Sequence, residues 1–241
     1  GALADVNAMT IVGHQPMGDF LNLASATPDD ASLQVWMASA GRIPAYLGFL
    51  KGDEERSNKL KAFTRAKLSP VLNRLGWTAK PGEPAYVDNF RASLIGMMAG
   101  LDDPATLAEA KRRFAAMDTD PEAAPASLRI LILSIVAHSA DETTWNALRL
   151  RAQNEKSAMV KDNLYTLLAS AKDKNLAKRA LELALTEEPG LTTSASMIRT
   201  VAGEHTDMAF DFAMANLAAV NSKVDATSRS RYFPGLASNA N

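Results

Sequence analysis

The side chains best suited to chemistry are few and scattered. The chain of 241 residues holds three histidines, His14, His138 and His205, and no cysteine. Gln15, Ser139 and Thr206 follow the three histidines, and no His-Glu-x-x-His pair occurs. The paired imidazoles that hold zinc on one helical face of a metallopeptidase are therefore missing from this chain. Histidines in turns and near helix ends are expected to be exposed or capping groups. There is no Gly-x-x-x-x-Gly-Lys-Ser/Thr phosphate loop, no dinucleotide-binding glycine pattern and no Gly-x-Ser-x-Gly elbow. The acid pairs Asp29/Asp30, Glu54/Glu55, Asp102/Asp103 and Glu187/Glu188 fall at predicted helix ends, where the helix dipole accounts for them without catalysis. Lys59, Lys61, Arg65 and Lys67, and likewise Lys111-Arg112-Arg113, read as solvated faces. Trp36, Trp77 and Trp145 read as core anchors. No self-contained active site emerges, so the catalytic and metal-binding assignments for this chain are none.

Composition narrows the class. With 47% apolar residues, 22% charged residues and a formal net charge of −1, the chain reads as ordinary soluble globular protein. A nucleic-acid partner is not expected, because phosphate contacts need a cationic surplus. No apolar run approaches the roughly 18–20 residues of a membrane span. The absence of cysteine excludes disulfides and thiolate metal sites but leaves the compartment open between cytoplasm and periplasm. Gly1-Ala2-Leu3-Ala4-Asp5 lacks an initiator Met, a basic leader and a cleavage pattern, and is read as the start of a fragment or processed form.

The elements that would position any site are helices throughout. Residues 2–12 read as one helix ending at the Gly13-His14-Gln15-Pro16 turn, and a short helix follows through Phe20, Leu21 and Leu23. Thr27-Pro28-Asp29-Asp30 predicts a helix start, with Thr as cap, Pro at the first position and acids facing the dipole. That helix runs through Trp36, and Gly41 with Pro44 is expected to kink or divide it before Tyr46. Lys51-Gly52-Asp53 breaks the pattern. A long helix through Leu60, Leu68 and Leu75 follows, with Pro70 expected to bend or split it. Residues 78–84, with two prolines and a glycine, are the clearest linker. Helices are then predicted through Phe90 and Met98, from Asp103-Pro104 to Phe114, and over the nearly all-apolar 128–136 run. Starts at Asp141 and Asp173 bracket a stripe of Met159, Val160, Leu164, Leu167 and Leu168. Beyond the Glu188-Pro189-Gly190 turn, helices are predicted over 191–202 and 208–220, and the tail 221–241 is polar and weakly periodic.

No β-type alternation sustains itself, so the fold class is all-α. Helix starts at Asp103, Asp141 and Asp173 recur at about 30–40 residues, the size of a helical-hairpin repeat. The architecture expected is an irregular α-solenoid of stacked antiparallel helix pairs, HEAT- or armadillo-like. It forms one domain over 1–241, with a candidate sub-boundary at the 78–84 loop.

Several stretches, taken in order, resemble the C-terminal helical domain of zinc aminopeptidases of the aminopeptidase N and puromycin-sensitive aminopeptidase kind. They are Gly13-His14-Gln15-Pro16-Met17-Gly18-Asp19-Phe20 with Val35-Trp36, the run from Phe63 to Leu75-Gly76-Trp77, and Phe90-Arg91-Ala92-Ser93-Leu94. Trp145-Asn146-Ala147-Leu148, the run Leu176 to Leu185, Ile198-Arg199-Thr200-Val201-Ala202 and Phe212-Ala213-Met214-Ala215-Asn216 complete the series. The resemblance implies that the family's Gly-x-Met-x-Asn loop, its His-Glu-x-x-His and its zinc precede this chain in a larger enzyme, truncated here at both ends. It implies a bowl-like helical domain over the zinc site whose partners are its own N-terminal catalytic domain and peptide substrates. A basic residue near the end of that domain faces the cavity in the family, and Arg229 or Arg231 is the candidate for contact with a peptide carboxylate. A guanidinium suits that task because it donates two parallel hydrogen bonds. Two other readings stand beside this one: a free-standing helical-repeat scaffold for a partner protein, and an independent helical enzyme with a site of scattered acids and arginines.

Overall fold

A computed structural model describes residues 5, 8–10, 14, 16–28, 31–40, 43–50 and 52–237. All regular structure among them is helical, without a strand. Most of the predicted helix over 2–12, Gly13 and Gln15 of the turn after it, Asp29, Asp30, Gly41 and Lys51 lie outside the described residues. From Met17 onward the helices are α1 (Met17–Ser25), α2 (Leu33–Ala40), α3 (Ile43–Phe49), α4 (Glu54–Leu75), α5 (Ala85–Gly100), α6 (Pro104–Ala116) and α7 (Ala126–His138). There follow α8 (Glu142–Asn154), α9 (Ala158–Leu168), α10 (Lys174–Ala184), α11 (Leu191–Glu204), α12 (Thr206–Ala215), α13 (Leu217–Lys223) and α14 (Arg229–Leu236). The chain forms two compact units, residues 1–129 and 130–241. The division falls within α7, and the 78–84 loop lies inside the first unit.

In the first unit α4 packs on α3 and α5, and α5 packs on α2 and α6. Tyr46 and Leu60 form a buried nucleus joined by Leu21, Leu47, Leu50 and Phe63. Further along, Leu68, Val71, Leu72 and Leu75 of α4 and Leu94, Ile95 and Met98 of α5 are buried, each such side chain stabilising by about 1.5–3 kcal/mol. α4 runs unbroken through Pro70, which the sequence marks for a bend or split. Pro70 and Ala66, the residue whose carbonyl the proline leaves unpaired, are both exposed, so the break in the hydrogen-bond ladder falls on the solvent side of the helix. The α2 helix starts at Leu33 rather than at Pro28: Ala31 N–H bonds to Pro28 O as a turn, and Ser32 O accepts the first helical bonds from Val35 and Trp36.

The lysines and arginines of α4 do more than face solvent. Arg65 Nη1 donates to Leu101 O at 2.8 Å, Lys61 Nζ to Asp102 Oδ2 at 2.8 Å and Lys67 Nζ to Ser25 O at 2.9 Å. These cations meet the carbonyl ends of α5 and α1, where the helix dipole favours positive charge. Lys61 thereby holds Asp102, a non-glycine residue in the left-handed region at φ 56°. Asp102 ends one helix and Asp103 caps the next, so the acid pair divides its labour. Asp103 Oδ2 accepts from Thr106 N–H at 2.9 Å and from Thr106 Oγ1 at 2.7 Å.

In the second unit the aspartates do what their spacing predicts. Asp141 Oδ1 accepts from Thr144 N–H at 2.7 Å, and Asp173 Oδ1 from the amides of Asn175 and Leu176 at 2.8 and 3.0 Å. Each such cap stabilises its helix by about 1 kcal/mol. Most contacts run between neighbours in sequence and next-but-one neighbours: α8 with α9, α10 with α11, α11 with α12, α9 with α11 and α12 with α14. α11 is the hub, touching α9, α10, α12, α13 and α14, and it buries Met197, Ile198, Val201 and Ala202. Trp145 is buried in α8 and its Nε1 donates to Leu168 O at 3.0 Å. His138 Nδ1–H donates to Ser170 O at 2.9 Å and His205 Nε2–H to Ala171 O at 3.0 Å, so two histidines staple one inter-helix turn.

Three details depart from the sequence pattern. Met159, placed on the apolar stripe of its helix, is 72% exposed, and Tyr165 takes the buried position instead. The predicted 208–220 helix is two helices: the backbone turns at Asn216 (φ −117°, ψ 32°), whose side-chain amide donates to Phe212 O. The polar tail contains α14, which buries Tyr232 and Leu236 although Pro234 sits inside it.

Candidate functional site

Two polar networks must be set aside before a site can be located, because their groups are spent on structure. In the first unit Arg91 of α5 is wholly buried. It donates Nη1 to Asp88 Oδ1 at 2.7 Å, Nε to Gly76 O at 3.2 Å and Nη2 to Glu83, so one guanidinium fastens both ends of the 76–84 loop. The Arg91 bond holds the Glu83 carboxyl below its ordinary value of 4.5, with Lys80 adding to the effect. In the second unit Glu188 Oε1 and Oε2 accept from Arg149 Nε and Nη2 at 2.9 and 2.6 Å. Oε1 also takes Gln153 Nε2 at 3.1 Å and Tyr165 Oη at 3.0 Å. The Arg149 bonds hold Glu188 below 4.5, while burial and the Glu188 bond push Tyr165 up to about 12. Glu187 pairs with buried Lys223 at 2.7 Å. The Glu187/Glu188 pair is thus held by specific partners rather than by a helix dipole.

Outside these networks, a cleft of about 370 Å³ lies in the second unit. α11 contributes Leu191, Thr192, Ala195, Ser196 and Arg199. The segment from Ser222 to Asp225, with Ser228 and Tyr232, supplies the other wall. Amphipathic spacing explains the α11 face: residues 191, 195 and 199 recur every four positions, one helical stripe. Arg199 lies over the ring of Tyr232 at 5.3 Å, and Tyr232 Oη donates to Ala195 O at 2.8 Å. Burial pushes the Tyr232 phenol up to about 12, against a small opposing pull from Arg199. Among the described residues no carboxylate pairs with Arg199. On the opposite wall Asp225 Oδ1 accepts from Thr227 N–H at 2.9 Å and Thr227 Oγ1 at 2.6 Å, which hold its carboxyl below its ordinary value of 3.8.

The sequence candidates Arg229 and Arg231 stand in the first turn of α14, and both are exposed. Arg229 Nε donates to Val224 O at 3.2 Å, and its charge adds to the lowering at Asp225. Neither side chain lines the cleft, whereas Arg199 does. Arg199 was legible only as part of the Ile198-Arg199-Thr200 resemblance, since its partner ring is 33 positions away in an apparently featureless tail. A second cleft of about 330 Å³, in the first unit, is lined by Leu72, Trp77, Met98 and polar neighbours that include Asp103 and Glu109. Its carboxylates are already engaged as a helix cap and with Arg112 and Arg113. His14 is exposed, and among the described residues no group of three or more His, Cys, Asp or Glu could hold a metal ion.

A family model for the ERAP1-like C-terminal domain matches residues 1–241. The chain belongs to that family. The resemblance read from its ordered segments therefore stands: this is a C-terminal domain of the kind found in aminopeptidases of this group. Glutamyl aminopeptidase of Bos taurus is 25% identical over 164 residues, 68% of this chain and 17% of that protein. Aminopeptidase 2 of Candida albicans is 27% identical over 150 residues, 61% of the chain and 16% of its own length. Aminopeptidase M1-A of Oryza sativa subsp. japonica is 28% identical over 218 residues, 83% of the chain and 24% of its own length. The chain thus spans from about a sixth to a quarter of these relatives. No described helix of this ERAP1-like C-terminal domain is long and apolar enough to cross a membrane.

Proposed function

We propose that this chain is the non-catalytic C-terminal domain of a zinc-dependent metallo-aminopeptidase, covering the active site and gating or binding the peptide substrate. The observation that carries the reading is the family match over the whole chain, joined to relatives that are themselves named aminopeptidases. The sequence has no His-Glu-x-x-His and the described residues bring no three metal ligands together, so the chain's own side chains do not fit the zinc. The metal, the nucleophilic water and the pocket for the N-terminal residue belong to the preceding catalytic domain. What this domain contributes is held surface: helices of HEAT-like size, with capped ends and one fastened turn in each unit, keep their form while peptides enter and leave. Exposed Leu150, Met159 and Leu191 supply apolar surface for contact with the catalytic neighbour or the peptide.

Within that reading Arg229 and Arg231 contact the carboxylate end of longer peptides. Both guanidiniums are exposed and can donate two parallel bonds. In the complete enzyme, Arg229→Ala and Arg231→Ala are compared on long peptides and on single aminoacyl substrates. Loss of about tenfold in kcat/KM for the long peptides alone supports the contact. An equal response of both substrate types, or of neither, removes it.

A further inference from the structure

We infer that the cleft between α11 and α14 binds a small zwitterion carrying an apolar group, of the amino-acid or dipeptide class. Two opposite charges line one cavity without pairing to each other. Arg199 is held against the Tyr232 ring, and that ring is itself anchored by its hydroxyl to Ala195 O. On the facing wall Thr227 bonds twice to Asp225 Oδ1, and no hydrogen bond engages Oδ2 among the described residues, while the Arg229 charge acts on the same carboxyl from outside the cleft lining. The ring contact at Arg199 and the two Thr227 bonds at Asp225 restrain both groups before any ligand arrives, which lowers the ordering cost of binding. Lys223, the remaining charge on the wall, is already spent on Thr186 O and Glu187 Oε1.

Ligand chemistry follows from this pairing. A plain anion drawn to Arg199 meets the Asp225 charge in the same cleft, and a plain cation drawn to Asp225 meets Arg199. A molecule with a carboxylate at one end and an ammonium at the other satisfies both. The guanidinium takes the carboxylate through two N–H groups, and Asp225 Oδ2 accepts from the ammonium. The hydroxyls of Thr192 and Ser228 line the same space and have no side-chain partner among the described residues. Leu191, Val224 and the Tyr232 ring offer an apolar wall for the ligand's side chain. At about 370 Å³ the cleft lies at the small end of the usual ligand-pocket range of roughly 300–1,000 Å³, ample for such a molecule. The binding reaction does not depend on the peptidase reading, and it is measured without peptidase activity.

Isothermal titration of the 241-residue chain with four probes tests this: L-leucine, Leu-Leu, N-acetyl-leucine and leucinamide. Saturable binding of L-leucine or Leu-Leu is expected, with a loss of about tenfold or more when either the ammonium or the carboxylate is blocked. Whichever of the first two binds tighter identifies the source as free amino acid or peptide. Arg199→Ala should abolish binding while leaving the melting temperature nearly unchanged. Asp225→Asn should equalise L-leucine and N-acetyl-leucine. If Arg199→Ala unfolds the chain, Ser228→Phe, which fills the cleft from its exposed edge, should block binding instead. Equal affinity for L-leucine and its acetylated form in the parent chain overturns the proposal. So does the absence of saturable binding with a Kd under about 10 mM for all four probes.

Discussion

Arg91 and Glu188 perform the same task in the two units with charges reversed. Arg91 is a buried cation that gathers two carboxylates and a backbone carbonyl to close the 76–84 loop. Glu188 is a half-buried anion that gathers a guanidinium, an amide and a phenol to close the 185–190 turn. The difference lies in solvent. Water does not reach Arg91, so its partners are obligatory, whereas Arg149 and Glu188 remain 35% and 24% exposed. Arg199 stands at the other extreme: exposed, stacked on one ring and paired with no carboxylate among the described residues. Three charged residues therefore grade from structural to available, and burial with partner count sorts them.

Breaking the buried member has the largest expected effect. Arg91→Ala removes the cation and leaves Glu83 and Asp88 facing each other across a vacated site, at a cost of about 3 kcal/mol in urea unfolding. Arg91→Met, which refills part of the volume, should recover little, because the carboxylates remain unpaired.

Glu188→Gln keeps the shape of the second clamp and removes its charge. A loss of about 1–2 kcal/mol is expected by the same measurement, smaller than for Arg91 because water already screens the pair.

Acid sharpens the comparison further. Glu83, Glu109 and Glu188 are all held below 4.5, chiefly by Arg91, Arg112 and Arg149 respectively, so the folded chain binds fewer protons than the unfolded chain near that pH. Their stabilisation is present above pH 4.5 and is lost as the pH falls through the lowered folded values. A pH series of urea midpoints should decline on the acid side, and the Glu188→Gln variant should decline less steeply.

The smallest effect on stability belongs to Arg199→Ala, within about 0.5 kcal/mol, since the side chain is exposed and its ring contact is modest. A loss near that of Arg91→Ala would show that Arg199 is structural and would dissolve the gradation.

These three charged residues also mark where sequence reading stops. Helix starts at Asp103, Asp141 and Asp173 were legible because a cap is local: an aspartate accepts from amides two or three residues on. The ordered segments from Gly13 to Asn216 carried the family for the same reason, being local runs. Arg91, by contrast, sits in an ordinary amphipathic helix, and nothing local tells that a loop eight and fifteen positions away will bury it. Glu188 meets Arg149 across 39 positions, and the dipole rule offered for its acid pair carries no information about such a partner. α14 was hidden by Pro234 and by its polar residues, so the wall opposite Arg199 could not be drawn, and the arginines named from sequence were the exposed pair on that helix's first turn. Apolar spacing alone also misplaced Met159, since its helix turns Tyr165 inward instead.

The proposed division of labour between this domain and a catalytic domain of the same protein is tested most directly by hydrolysis of aminoacyl-nitroanilides with added zinc, first by the 241-residue chain and then by the full-length protein. The account predicts no hydrolysis above the zinc-only blank for the chain and zinc-dependent turnover for the full-length protein. Zinc-dependent turnover by the chain itself, abolished by a chelator and restored by the metal, would contradict it.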